Sequence, residues 1–132
     1  TGLVCFLTKY QTAETAMNGA LAGQLFETFV VSEILKSFSH AGIDYRMNLT
    51  YYRGKDKSES RESEIDLMLE EGDTIYPIEI KMSANPKLTM TNTFDVIDKV
   101  KGRKRGLGVV LCMYDKPLWL NERTIALPVE YV

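Results

Sequence analysis

Two short words, Glu64-Ile65-Asp66 and Glu79-Ile80-Lys81, stand on either side of Glu71-Gly72-Asp73 and constrain this chain more than any other feature. The stretches Glu64 to Glu70 and Thr74 to Met82 read as strands, and the residues between them as a tight turn. Side chains alternate along a strand, so parity sorts them by face. Glu64 and Asp66 point one way and Ile65, Leu67 and Leu69 the other. Ile75, Pro77, Glu79 and Lys81 share a face opposite Tyr76, Ile78, Ile80 and Met82. Folded as a hairpin, the strands bring Asp66 and Glu79 together on one face, with Lys81 beside them. Two carboxylates held close repel, and one takes up a proton unless a cation lies between them. Mg²⁺ suits such a pair, because it takes oxygen ligands and needs only one or two protein carboxylates. A lysine on the same face can orient a water or steady charge growing on a phosphate. The same Glu-x-Lys pattern also describes plain charge pairing at a sheet margin, and that structural reading stays open.

The rest of the chain supplies partners for this hairpin. Residues 1–10 read as a short strand or turn. From about Asn18 to His40 the spacing is helical, with Gln24, Thr28, Ser32 and Lys36 as one polar stripe on an otherwise apolar circumference. This helix is expected to be buried over most of its girth and to end at His40-Ala41-Gly42. Glu27 and Glu33 lie within the apolar part, where a carboxylate is costly unless paired or bound to metal. Arg53 or Arg61 could pair with Glu27, and Glu33 is the more structural of the two. Arg46 to Arg53 reads as a strand and residues 54–60 as a charged loop. Residues 92–104 suit an amphipathic helix through Phe94, Ile97 and Val100. Gly108 to Tyr114 is an apolar strand, and Arg123 to Tyr131 a last one whose Pro128 marks an edge. The order α-β-β-β-α-β, followed by an extra strand, predicts an α/β fold in a single domain over 1–132.

Composition removes several chemistries. His40 is the only histidine, which excludes two-histidine zinc sites and the histidine-dependent triads. Cys5 and Cys112 lie far apart among apolar neighbours and read as small core residues, in keeping with a reducing cytoplasm. No stretch approaches the ~20 apolar residues that span a bilayer, and no signal peptide is evident, so the location expected is cytoplasmic, with no membrane partner. A net charge of −2 offers no global field for nucleic acid. Lys99, Lys101, Arg103, Lys104 and Arg105 form the one basic cluster, either a phosphate-gripping patch or a solvated helix end. Tyr51, Tyr52 and Trp119 could stack on bases, although aromatic strand residues are more often core.

Gly23-x-x-x-Glu27, then Asp66, then Glu79-x-Lys81 resembles the PD-(D/E)xK superfamily in the style of Holliday-junction resolvases. Longer words are closer to one group: Leu25-Phe26-Glu27-x-Phe29-Val30-x-Ser32-Glu33-Ile34-Leu35-Lys36, Tyr52-Arg53, Glu64-Ile65-Asp66-Leu67 and Pro77-Ile78-Glu79-Ile80-Lys81-x-Ser83. They resemble the C-terminal domain of uncharacterised prokaryotic AAA-type ATPases, and the opening Thr1-Gly2-Leu3 is similar to the start of that domain. The resemblance implies a restriction-endonuclease-like core, a mixed sheet flanked by helices. It also implies a metal site of Asp66, Glu79 and Glu27 taking Mg²⁺ or Mn²⁺, with Lys81 as the catalytic lysine. The Pro-Asp opening of the motif is missing, with Ile65 before Asp66, and Ser63 stands where glycine is common.

On this reading the chain is a C-terminal piece of a longer ATPase. ATP binding belongs to the N-terminal part, since GxxxxGK[ST] is absent from these residues. The function expected is a metal-dependent DNA endonuclease-like domain hydrolysing phosphodiesters. Its partners would be DNA (branched or single-stranded forms included), the ATPase module of the same polypeptide, and a second copy of the chain. The alternative is a non-catalytic module that keeps the fold to bind DNA or dock a protein.

Overall fold

Thr12 begins the ordered approach to the main helix. Its hydroxyl accepts from the Thr15 amide while the Thr15 hydroxyl accepts from the Thr12 amide, a reciprocal cap on α2 (Ala13–Asn18). Before it, Gly2–Leu7 forms α1, where the sequence suggested a strand or turn. α3 (Ala22–His40) then runs for 19 residues. It ends as expected: Gly42 takes φ 72° and the Ile43 amide donates to the Phe38 carbonyl, satisfying an end-of-helix acceptor. The computed structural model describes residues 1–55 and 62–132. Most of the expected charged loop, and Arg61, fall outside the described residues.

Seven strands form one mixed sheet: β1 (Leu49–Lys55), β2 (Glu62–Glu71), β3 (Thr74–Lys81), β4 (Lys104–Arg105), β5 (Gly108–Cys112), β6 (Leu118–Asn121) and β7 (Thr124–Pro128). Their spatial order is β1-β2-β3-β5-β7-β6, and β4 pairs with the start of β3. β1, β2 and β3 are antiparallel neighbours, whereas β5 lies parallel to β3 and β7 parallel to β5. The protein is therefore mixed α/β. Glu71 pairs with Thr74, so Gly72 and Asp73 make a two-residue hairpin loop. Gly72 supplies its positive φ of 61°.

The sheet is the middle of three layers. On one face Val30 of α3, with Phe26, Val31 and Ile34, packs on Ile78, Ile80, Val109, Leu111 and Leu127. On the other face Phe94 and Ile97 pack with Ile65 and Ile75. Their segment, Leu88–Lys99, is a run of 3-10 turns rather than the amphipathic α-helix expected over 92–104. Thr91, Phe94 and Ile97 are its buried residues, a strict spacing of three that matches the three residues per turn of a 3-10 helix. Val100 falls past its end and is 45% exposed.

Other expectations also give way. α3 is less buried than its composition suggests: only Leu25 and Val30 are fully buried, and Phe29 is 47% exposed. β7 is not an edge strand, because β6 pairs with it over residues 124–126, but Pro128 lies past the last of those pairs. Cys112 is in the core, but Cys5 is only half-buried.

Phe94 closes the face opposite α3, and a Cβ on Gly108 would come within 2.8 Å of its ring. Phe94→Ala is expected to cost about 3–5 kcal/mol through lost contacts and an unfilled cavity, read as a lowered urea midpoint with an unchanged m-value.

Candidate functional site

The site is made where β2 and β3 part company. Their pairing runs from Glu71–Thr74 to Leu67–Ile78 and stops there. Along the other edge of β2, Thr50 pairs with Met68 but Tyr52 pairs with Ile65, so β2 carries one extra residue at Asp66-Leu67. This bulge breaks the strict alternation expected of β2. Ile65 packs with Ile75 and Phe94, while Leu67 lies across from Ile78, which packs under α3. The bulge frees Asp66 to turn toward β3. Its Oδ2 accepts the Ile80 amide at 2.7 Å, standing in for the backbone acceptor that β2 no longer offers.

Lys81 gathers the expected acids. Its Nζ lies 2.6 Å from Glu79 Oε1 and 3.5 Å from Asp66 Oδ2. One ammonium thus reaches carboxylates from two antiparallel strands. Glu79 and Asp66 are buried and Lys81 is 41% exposed, making the lysine the group that meets solvent. Glu27 comes from α3 and lines a cleft of about 310 Å³ with Tyr51, Tyr52, Arg53, Glu64, Ile65 and Asp66. Glu33 does not join them, since it pairs with Lys36 one helical turn on. Arg53 is taken by Glu64 at 2.8 Å and is not the ion-pair partner that would have made Glu27 structural.

Charge in this cluster is unbalanced. Burial, then repulsion from Asp66, raises the Glu27 pKa above its ordinary value. Burial is also the main cause for Glu79, whose pKa rises from 4.5 to about 7, with Lys81 opposing and Asp66 and Glu27 adding to the rise. Burial alone would lower Lys81, but the Glu79 hydrogen bond and the charges of Glu79 and Asp66 outweigh it and hold its pKa above 10.5. Lys81 is therefore an ammonium throughout the neutral range. It can steady negative charge but cannot act as a base.

Among the described residues, no three histidine, cysteine or acidic side chains converge into a ready metal cage. Asp66 and Glu79 are hard oxygen donors. Such donors are of the type that a divalent ion such as Mg²⁺ or Mn²⁺ takes.

The basic cluster lies elsewhere. Lys104 and Arg105 pair with Thr74 and Ile75 at the opposite end of β3 from Lys81. Seven residues at roughly 3.3 Å each put some 23 Å between them. Most of its charge is already engaged: Arg103 with Glu70, Lys104 with Asp73, and Arg105 with Asp95 and Asp98. Lys99 and Lys101 make no ion pair among the described residues. The aromatic residues reverse expectation. Tyr51 is 73% and Trp119 60% exposed, and only Tyr52 packs against a core cluster. Tyr51 is the residue that sequence reasoning undervalued, because its place beside Asp66 depends on the bulge.

Residues 22–132 match a family described as a domain of unknown function (DUF4143). The chain belongs to that family. No curated protein matches the chain. No helix among the described residues of this DUF4143 member is long and apolar enough to cross a membrane.

Two measurements test the electrostatics. The folded protein holds the Glu79 proton more tightly than the unfolded chain does, so this residue's stabilising contribution is complete below about pH 4.5 and is lost as pH rises toward 7. In metal-free buffer, Glu79→Gln is expected to remove that loss, its stability relative to wild type improving across the same window in urea titrations. Asp66→Ala leaves the buried Ile80 amide without its acceptor and should cost about 1–3 kcal/mol. Asp66→Asn, which keeps a carbonyl oxygen, should lose less in the same titrations.

Proposed function

We propose that this domain is a metal-dependent, restriction-endonuclease-like module that hydrolyses phosphodiesters in DNA. On this reading it works beside an AAA-type ATPase module of the same polypeptide in the cytoplasm. The observation that carries the proposal is the meeting of Asp66, Glu79 and Lys81 around one ammonium at the point where β2 leaves β3, with Glu27 facing them from α3. The order of long helix, three antiparallel strands, helical connection and parallel strand is consistent with that fold.

Asp66 and Glu79 would hold the divalent ion, which supplies a polarised water and a counter-charge for the phosphate. Asp66 is fixed for this task by the Ile80 amide, so its orientation does not depend on the ligand. Lys81, kept charged by its two acids, would steady the negative charge that gathers on the phosphate oxygens in the transition state. Lys81 is the member of the cluster that reaches solvent, on the side where a substrate would lie.

One observation favours a second reading. Lys81 already pairs with both acids, and most of the basic cluster is engaged in ion pairs. A domain satisfied in this way could serve as a non-catalytic docking module for DNA or a protein.

Cleavage of single-stranded, branched and duplex DNA separates the two. With Mg²⁺ or Mn²⁺ the domain is expected to cut slowly, and faster when joined to its ATPase module. Lys81→Ala should reduce cutting at least a hundredfold, as loss of a transition-state charge partner does, while the melting temperature confirms a folded variant. Equal cutting by both proteins would mean a contaminating nuclease. No cutting of any substrate, in either form of the protein, would favour the docking module.

A further inference from the structure

The cleft beside Asp66 continues beyond the acids, between α3 and β1. About 540 Å³ in volume, it is walled by apolar Val31, Leu35, Leu49 and Leu67, with Tyr45 and Tyr51 also on its lining. Glu27 and Asp66 lie within that same lining. Tyr51 is 73% exposed.

We propose that this cleft is a binding groove for an unpaired strand of DNA, with a base stacked on Tyr51 and the adjoining phosphodiester presented to the acidic cluster. The substrate class it names rests on the nuclease reading above, and it narrows that reading to single-stranded or splayed DNA.

Three features select an unpaired strand over a duplex. A cleft of this volume, with aromatic and aliphatic walls, takes a flat base but is far too small for a base-paired helix. Duplex binding draws chiefly on cations that neutralise backbone phosphates, and among the described residues the arginines lining the cleft are already paired: Arg46 with Asp44 at 2.9 Å and Arg53 with Glu64. The other cationic cluster is at the far end of β3. Stacking on an exposed ring needs no free cation and tolerates any base, because every base has a π-face. The carboxylates oppose a close approach of phosphate, so stacking must supply the affinity, and a divalent ion held by Asp66 and Glu79 would offset their charge.

Fluorescence anisotropy with a labelled oligothymidine and the matching duplex tests this on the intact domain, in low salt with Ca²⁺ present to allow binding. Single strands should bind more tightly than duplex and with a shallow salt dependence. Tyr51→Ala should weaken single-strand binding roughly tenfold, a typical loss for one base–aromatic stack, while Tyr51→Phe retains it. Tyr51 is exposed, so its variants should melt like wild type. Trp119→Ala is the control: Trp119 is also an exposed aromatic, but it lies on β6 at the opposite edge of the sheet from β1, and its loss should change nothing. Unaltered binding by Tyr51→Ala, an equal loss with Trp119→Ala, or tighter binding of duplex would each overturn the groove. Tyr51-dependent binding without cleavage in Mg²⁺ or Mn²⁺ would uphold the groove and overturn the nuclease reading instead.

Discussion

A single hydrogen bond, from the Ile80 amide to Asp66, organises this molecule. β3 is shared between two incompatible neighbours, an antiparallel hairpin partner on one side and a parallel strand on the other. The hairpin twists away after Leu67, and the bulge in β2 is where it leaves. A buried amide stranded at such a seam costs about 1–3 kcal/mol. Asp66 removes that cost with a side chain instead of a backbone carbonyl, which lets the sheet split without losing its bonding. Because the substitute acceptor is a carboxylate, the repair imports charge into a buried place. Lys81 reaches Asp66 there, and the Asp66 charge adds to the rise in the Glu79 pKa that burial mainly causes.

The layers around the seam serve it unequally. α3 lays Val30 and Ile34 on the sheet, and Leu25 is likewise buried on this helix; these contacts fix its rotation. That rotation is what turns Glu27 toward Asp66 and leaves Glu33 to pair with Lys36. On the opposite face the 3-10 run supplies Phe94 and Ile97 as a plug beneath Ile65. Arg105 ties the far end of the same run through Asp95 and Asp98, so the basic residues act there as braces.

How much of this was legible in the sequence depends on what each signal encodes. The hairpin was plain, because Gly72 and the alternating apolar residues are local signals. So were the end of α3 at Gly42 and the central acids with Lys81. Parity failed at Ile65, since one inserted residue reverses faces and nothing in Glu-Ile-Asp-Leu announces a bulge. Phe94, Ile97 and Val100 suggest an α-helical stripe, but the buried set is Thr91, Phe94 and Ile97 at a spacing of three, with Val100 outside it. α1, α2 and β6 were missed: six-residue helices and a four-residue strand carry too few residues for a period to emerge. The basic run misled for a different reason. Its partners Glu70 and Asp73 lie on the β2–β3 hairpin and Asp95 and Asp98 on the 3-10 run, so folding pairs Arg103, Lys104 and Arg105 with acids that the run itself does not show.

The hairpin also has a kinetic consequence. Asp66 and Lys81 are only fifteen residues apart in the chain, and the two-residue loop makes their strands the easiest long pairing to form. Local pairings of this kind close early, while parallel neighbours such as β5 and β7 must await longer crossovers. Opposed charges at the hairpin's open end thus meet in water, before α3 and the 3-10 run exclude it. The nascent chain can pair its acids and lysine while solvent still screens them, and the dielectric falls around an arrangement already made.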